Sequence, residues 1–356
     1  ERYSEVLKNE MPQVDIVFGN RDQSKIIHAL ERARNSSSKP FVSTPRDYLT
    51  NWYENNIDNG SLPSAYLKVS EGCNNRCSYC AIPSIRGNLR SAPIDSLVSQ
   101  AEFLINSGVK EITLIGQDTT AYGMDKDENK FPDLLRAISS IEADFWIRVL
   151  YSHPRHMIDA NIEALATTPK VLPYLDMPIQ HISGHILERM GRYVDGDDIR
   201  AIVAKLKDSI PGIALRTSVM VGFPGETESD FNELCEFLDE GHFIHGGVFA
   251  YSPEDGTPAV NFNDMIEQEV AVERKLFVDM IFDRLRQESN IELEGKTLKV
   301  LVEREGSRKE MFWGRTRFDA PEIDRIVRFR GKAEIGTFTD VHIIKGTGFN
   351  LLGVQK

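Results

Sequence analysis

The sequence has little cysteine, no long apolar run and no excess of positive charge. Four Cys in 356 residues are too few for a disulfide scaffold. Apolar runs reach only a few residues, as at 247–250, so no segment is expected to span a bilayer. Lys and Arg number 42 against 54 Asp and Glu, a net charge of −12. An acidic chain is a poor candidate for a bulk nucleic-acid coat, although a local basic patch stays compatible with it. The first residue is Glu1, and no signal-peptide pattern follows. The expectation is a cytoplasmic protein with a segment missing in front. Hydrophobic residues at 41% and charged residues at 27% place the chain among folded globular proteins. At about 150 residues per domain, its length suggests two or three domains.

What cysteine there is lies together. Cys73, Cys77 and Cys80 are spaced C-x3-C-x2-C, and Cys235 stands far away. Three thiols within eight residues cannot all be paired as disulfides, and clustered Cys in such a chain read as metal ligands. Soft thiolates favour zinc or iron–sulfur clusters. A closed zinc site wants four ligands, usually as two pairs; here the second pair is absent and no His lies between Gly72 and Arg90. In a [4Fe–4S] cluster, three Cys leave one iron open to another ligand. Zinc or a structural role is the alternative. Cys235 belongs to the helical stripe Phe231, Leu234, Cys235, Leu238 and reads as a core side chain.

The Cys spacing, with Tyr79 just before the third Cys, resembles the signature of radical S-adenosylmethionine (SAM) enzymes. That resemblance implies a [4Fe–4S] cluster held by Cys73, Cys77 and Cys80 as metal-binding and catalytic residues, with SAM as the second cofactor. The open iron chelates SAM's amino and carboxylate groups. An electron from a reductant protein then splits SAM to a 5′-deoxyadenosyl radical, which takes hydrogen from an unactivated C–H. The rest of the chain fits an α/β architecture. Strand-like stretches at 65–70, 111–115, 146–150, 174–178, 214–221 and 247–251 alternate with helix-like ones, such as the stripe Ile94, Leu97, Val98, Ala101, Leu104, Ile105. Six such units resemble the partial (β/α)6 barrel of radical SAM enzymes, in which functional residues sit at the C-terminal strand ends.

Polar motifs stand at those ends. Gly116, Gln117 and Asp118 resemble the superfamily motif that meets SAM's amino group, and Arg192 or Arg216 would meet its carboxylate. Arg192 also reads as a solvated helix-end charge. Arg216 lies mid-strand among apolar neighbours, where a charge needs a partner. Gln180 or Glu226 suit the ribose, while backbone near Gly222, Phe223 and Pro224, with Tyr251, suits adenine. His153 and His181 are further site candidates, but loop histidines more often serve as surface or hydrogen-bonding groups.

Longer strings resemble the methylthiotransferases in particular: GCNNRCSYCAIP at 72–83, and VGFPGET at 221–227 followed by Phe231. Of that family's two branches, one modifies adenosine in tRNA and the other modifies an aspartate of ribosomal protein uS12 at its β-carbon. The strings GQDTTAYG at 116–123, YLDMPIQHIS at 174–183 and FAYSPEDGTP at 249–258 resemble the uS12 branch. The tRNA activity, or a cluster-bearing RNA- or ribosome-binding module, is the alternative.

The expected domains are a remnant of the N-terminal methylthiotransferase domain at 1–40, a polar linker at 41–64, the radical SAM barrel at 65–292, and a small all-β barrel at 293–356 resembling the TRAM domain. That last stretch is expected to contact substrate protein or RNA; no membrane contact is expected. From Glu292 to Lys356 there are 13 basic and 10 acidic residues, so this end is mildly basic, as an ordinary mixed-charge surface also is. The resemblance implies an N-terminal domain with three more Cys holding a second [4Fe–4S] cluster, expected in the full-length protein; residues 1–64 contain none, so the expectation is a truncated chain, with a natural variant lacking that cluster as the alternative.

Overall fold

The computed structural model describes residues 3–11, 13–18, 26–35, 41–43 and 63–356. At the N-terminus, helix α1 (Ser4–Glu10), strand β1 (Ile16–Phe18), helix α2 (Ile26–Asn35) and strand β2 (Phe41–Ser43) form a small unit. Its two strands pair in parallel. Residues 41–43, expected to open the linker, therefore belong to this unit. The rest of that linker, 44–62, lies outside the described residues.

Six parallel strands then follow one another around a curved sheet. They are β3 (Ser64–Lys68), β6 (Glu111–Ile115), β7 (Trp146–Val149), β8 (Val171–Asp176), β9 (Ala214–Val221) and β10 (His245–Ala250), adjacent in that order. The two-residue strands β4 (Ser70–Glu71) and β5 (Arg90–Ser91) pair beside it. Two of the six strands run as the sequence pattern predicts, and the others shift by one to three residues. The connecting helices are α3 (Ile82–Arg86), α4 (Ile94–Asn106), α5 (Phe131–Ser139), α6 (Asp159–Thr167), α7 (Gly184–Arg189), α8 (Gly196–Ser209), α9 (Glu228–Asp239) and α10 (Gln268–Glu292). A partial (β/α)6 barrel results.

Strand alternation explains the two faces. Leu215, Val219 and Val221 of β9 join Leu97, Ala101 and Leu104 of α4 in the large core between sheet and helices. Burying each such side chain contributes about 1.5–3 kcal/mol. Cys235 packs at the edge of this core, half-buried, and burial pushes its thiol up to about 12. Trp146, Leu172, Tyr174 and Ala214 face the other way, into the barrel lumen.

The C-terminal strands β11 (Thr297–Glu305), β12 (Met311–Thr316), β13 (Val327–Arg330), β14 (Phe338–Gly346) and β15 (Leu351–Gln355) close into a second barrel. Closure leaves no free sheet edge. This barrel caps the lumen from below: its Leu301 and Ala320 pack on Trp146 and Tyr174. Beside them Glu111, fully buried, meets Arg148 at 2.8 Å and Arg315 of the C-terminal barrel at 3.1 Å. Burial opposes a charge on Glu111, but the two guanidinium groups outweigh it and hold its carboxyl at about 2. Among the described residues, no helix is long and apolar enough to cross a membrane.

Candidate active site

The cysteine loop begins where β4 ends. Gly72 turns the chain at φ +76°, and a Cβ there would stand 2.2 Å from the Asn88 carbonyl oxygen, so no other residue fits. The loop is then tied down from several sides. Cys73 donates its amide to Gly87 O at 3.1 Å, and Ser78 donates to Met190 O at 2.9 Å. Leu89 N donates to the Asn74 side chain at 3.0 Å. Cys73 and Cys77 are buried and Cys80 is partly so. Burial pushes the Cys73 thiol up to about 11, and nearby Asp118, Cys77 and Cys80 push it further the same way. Cys80 is raised by burial and by Cys77. Cys73 and Cys80 thus resist ionising together unless a cation sits between them, which suits a metal-bound state. As they stand, no three His, Cys, Asp or Glu among the described residues form a ready-made metal cage. The fit rests on the soft donor set and its surroundings.

Arg192 is a fixed cation beside the thiols. It is buried, with Nη2 on Pro178 O at 2.5 Å and Nη1 3.7 Å from Cys77 Sγ and 3.5 Å from the Tyr79 hydroxyl. Burial opposes its charge, but Tyr79 and Cys77 more than compensate. The reading of Arg192 as a solvated helix-end charge is therefore wrong: the turn after α7 folds it inward. Arg216 stands elsewhere. It faces the lumen near the start of β9 and pairs with Asp324 of the C-terminal barrel at 2.8 Å.

Other candidates divide into engaged and free groups. Asp118 is buried and fully engaged. It accepts from Asn75 and His156, each at 2.7 Å, and from Thr120 at 2.9 Å. Burial opposes its charge, yet His156 and Asn75 hold its carboxyl at about 2. Glu226 accepts from Phe223 N at 3.1 Å and from Arg274 at 3.0 Å, and burial raises it to about 7. Gly222, at φ +70°, lets α10 approach: a Cβ would lie 2.3 Å from Ala271 Cβ. Phe223 packs edge-on to Tyr79 and Tyr251. Gln180 bridges to Val219 with φ +71°, an unusual conformation for a side-chain-bearing residue. Gly116 sits against Ser70, where a Cβ would come within 2.5 Å of the hydroxyl.

Both histidines are buried and neutral at ordinary pH. His153 caps the turn at Pro154 by accepting from Arg155 N, and burial drives it down to about 2. His181 accepts from Ser183 N at 3.0 Å and is driven down to about 3. Among the described residues, Gln117 Oε1, Ser152 Oγ, His153 Nε2, Arg192 Nε and Tyr251 OH are buried without a hydrogen-bond partner. Each such atom costs about 1–3 kcal/mol if left unmet, so their grouping around the strand ends suits a polar ligand. A cleft of about 210 Å³ opens at the cysteine loop between Cys73, Asn75, Asp118, Met124, Arg155 and His156.

Comparison with known proteins agrees with this geometry. Residues 67–238 match the radical SAM superfamily and 295–355 match the TRAM domain. The chain is 41% identical to the ribosomal protein uS12 methylthiotransferase RimO of Syntrophomonas wolfei, over 99% of this chain and 81% of that one. It is 38% identical to the protein of the same name from Thermotoga maritima, over 99% and 80%. The chain belongs to the uS12 methylthiotransferase family. Membership of the radical SAM superfamily implies a [4Fe–4S] cluster and SAM.

Three further residues beside the candidate site carry no separate expectation from the sequence. Asn75 and His156 hold Asp118, and Ser152 contributes a free buried hydroxyl. Asn75 lies inside the cysteine loop and is within reach of motif reading; His156 becomes visible only where the loop after β7 brings it to Asp118.

Proposed function

We propose that this chain attaches a methylthio group to the β-carbon of an aspartate in ribosomal protein uS12, and does so in the cytoplasm. The observation that carries this is the near-complete alignment, at about 40% identity, with uS12 methylthiotransferases. The cysteine loop at the mouth of a six-stranded barrel supports it. Cys73, Cys77 and Cys80 would hold the cluster. Cluster and SAM together supply a 5′-deoxyadenosyl radical able to remove hydrogen from an unactivated carbon.

This chain's residues bind, orient and shield. Arg192 would meet SAM's carboxylate, because its Nε is free and Arg216 is taken by Asp324. Gln117, rather than the fully engaged Asp118, would meet the amino group beside Gly116. Gln180 would take the ribose, since Glu226 already holds its own loop through Phe223 and Arg274. Tyr251, Tyr79 and the backbone at Gly222 would border the adenine and exclude water.

A second cluster finds no ligands here: three of the four Cys serve the first, and Cys235 packs on the helix side of the sheet. Iron and sulfide analysis after reconstitution is expected to give about four Fe per chain. The TRAM domain would contact the substrate protein or the RNA beside it.

The test is to reconstitute and reduce the chain with SAM. A uS12 loop peptide deuterated at the target β-carbon is supplied in one sample and a tRNA anticodon stem-loop deuterated on its adenosine base carbons in another. Deuterium in 5′-deoxyadenosine from the peptide is the expected result. Label only from tRNA would overturn the substrate assignment, and no 5′-deoxyadenosine at all would overturn the radical reading.

A further inference from the structure

A continuous set of contacts runs from the C-terminal barrel to the cysteine loop. Asp324 lies in the segment between β12 and β13. Its Oδ2 accepts from Ala320 N at 2.8 Å and from the Tyr174 hydroxyl at 2.7 Å, which fixes the carboxylate inside the lumen. His245 Nδ1 stands 3.5 Å from its Oδ1. That same oxygen accepts from Arg216 Nη1 at 2.8 Å. Arg216 in turn places Nε 3.7 Å from Asp176 Oδ1, an oxygen with no hydrogen bond among the described residues.

Asp176 closes β8 and holds the turn after β7. Its Oδ2 accepts from Tyr151 N at 3.2 Å, and its main-chain oxygen accepts from Ser152 N at 2.9 Å. Tyr151 needs such restraint, because φ +60° is costly for a residue with a Cβ. Tyr151 O then accepts from Thr119 N at 2.9 Å. Thr119 follows Gly116, Gln117 and Asp118, and Asp118 accepts from Asn75 of the cysteine loop.

The Asp324 carboxylate, Asp176, Thr119 and Asp118 are buried, Arg216 is partly so, and Tyr151 is exposed at the turn itself. Asp176 is 2% exposed, so its charge depends on Arg216, and Arg216's lumen position depends on Asp324. Burial, with a smaller push from Asp324, already raises Asp176 to about 6 against the pull of Arg216; without the guanidinium the neutral acid gains further, and the Tyr151 amide keeps a weaker acceptor.

We propose that Asp324 of the C-terminal barrel is a positioning residue for the SAM-facing loops, acting through Arg216 and Asp176 on the left-handed turn at Tyr151. The TRAM domain then belongs to the cofactor site's support and is more than a handle for substrate. The part that concerns SAM rests on the function proposed above; the part that concerns the loops does not.

The test reads the loops directly. Backbone hydrogen exchange is followed by mass spectrometry in the full chain without SAM, for wild type, Asp324→Asn and Glu303→Gln. Glu303 bonds Arg315 at 2.8 Å at another point of the same interface and has no link to Tyr151, so it controls for loosening of the interface in general. In Asp324→Asn, segments 116–122 and 150–153 are expected to exchange about tenfold faster, the scale of one lost charge-assisted hydrogen bond. They stay at the wild-type rate in Glu303→Gln. Equilibrium SAM binding to the reconstituted chain weakens in Asp324→Asn alone. Faster exchange confined to 317–325, or the same loop acceleration in both variants, overturns the proposal. Should Asp324→Asn not fold, Tyr174→Phe removes one restraint on Asp324 without changing charge, and the same pattern at smaller amplitude decides it. A wild-type chain that binds no SAM would sink the radical reading while the exchange result still judges the relay.

Discussion

Replacing Arg192 by Ala tests the cofactor site at one atom group. The guanidinium is buried, touches Cys77 and Tyr79, and keeps Nε unpartnered among the described residues. A charge-assisted hydrogen bond to a ligand carboxylate contributes about 1.5–3 kcal/mol. At 1.4 kcal/mol per tenfold, its loss weakens SAM binding by about 10- to 150-fold. Arg192→Lys keeps the charge but loses the planar fork, and Pro178 O loses its 2.5 Å donor, so it is expected to fall between wild type and Ala. The assay is equilibrium binding of SAM to the reconstituted, unreduced chain, with iron content measured on the same samples. Iron should stay near wild type, because the three thiols remain. SAM affinity unchanged within about twofold in Arg192→Ala would refute the assignment, since no bond of this class is worth so little when buried. Loss of iron alongside loss of affinity would instead make Arg192 a guardian of the thiolates.

Two further outcomes are expected. Single Cys→Ser changes at Cys73, Cys77 or Cys80 should each reduce reconstituted iron from about four per chain to near zero, whereas Cys235→Ser should leave it unchanged, as read by iron analysis and visible absorbance. Glu111→Gln should destabilise the fold by about 3–5 kcal/mol at neutral pH, because it leaves Arg148 and Arg315 buried without their shared carboxylate. The folded-state pKa of Glu111 is held at about 2, below the value of an unfolded Glu. Its stabilisation is therefore present above about pH 4.3 and is lost as pH falls toward 2. Thermal unfolding from pH 7 to pH 2 should show a shallower acid loss in Glu111→Gln than in wild type; parallel curves would contradict the pairing.

Much of the architecture was open to reading from the chain itself, for identifiable reasons. Three soft donors within eight residues have few alternative uses, and period-2 and period-3.6 patterns marked Glu111–Ile115, Ala214–Val221 and the α4 stripe well. Boundaries slipped where local pattern and tertiary pairing part: β8 was expected to reach 178, but it ends at Asp176, whose side chain turns into the lumen toward Arg216. The site itself was legible as a set of loops and much less so as a division of labour. Gly116, Gln117 and Asp118 are adjacent letters of one motif. Yet Gln117 presents a free buried oxygen, while Asp118 is consumed by Asn75, His156 and Thr120. Glu226 and Gln180 part in the same way. Arg216 shows the deeper cause. Its alternation in β9 predicts a charge facing away from the helices and in need of a partner, but that partner, Asp324, is 108 residues further on in another barrel. A motif therefore records that a polar residue is needed near the strand ends without recording whether it holds ligand or holds the loop that does. The pairing of buried donors and acceptors bears on the two: Asp118, Glu226 and Arg216 are engaged by protein partners, whereas Gln117 and Arg192 each keep a buried atom unpartnered among the described residues, which is why those two are proposed to meet SAM.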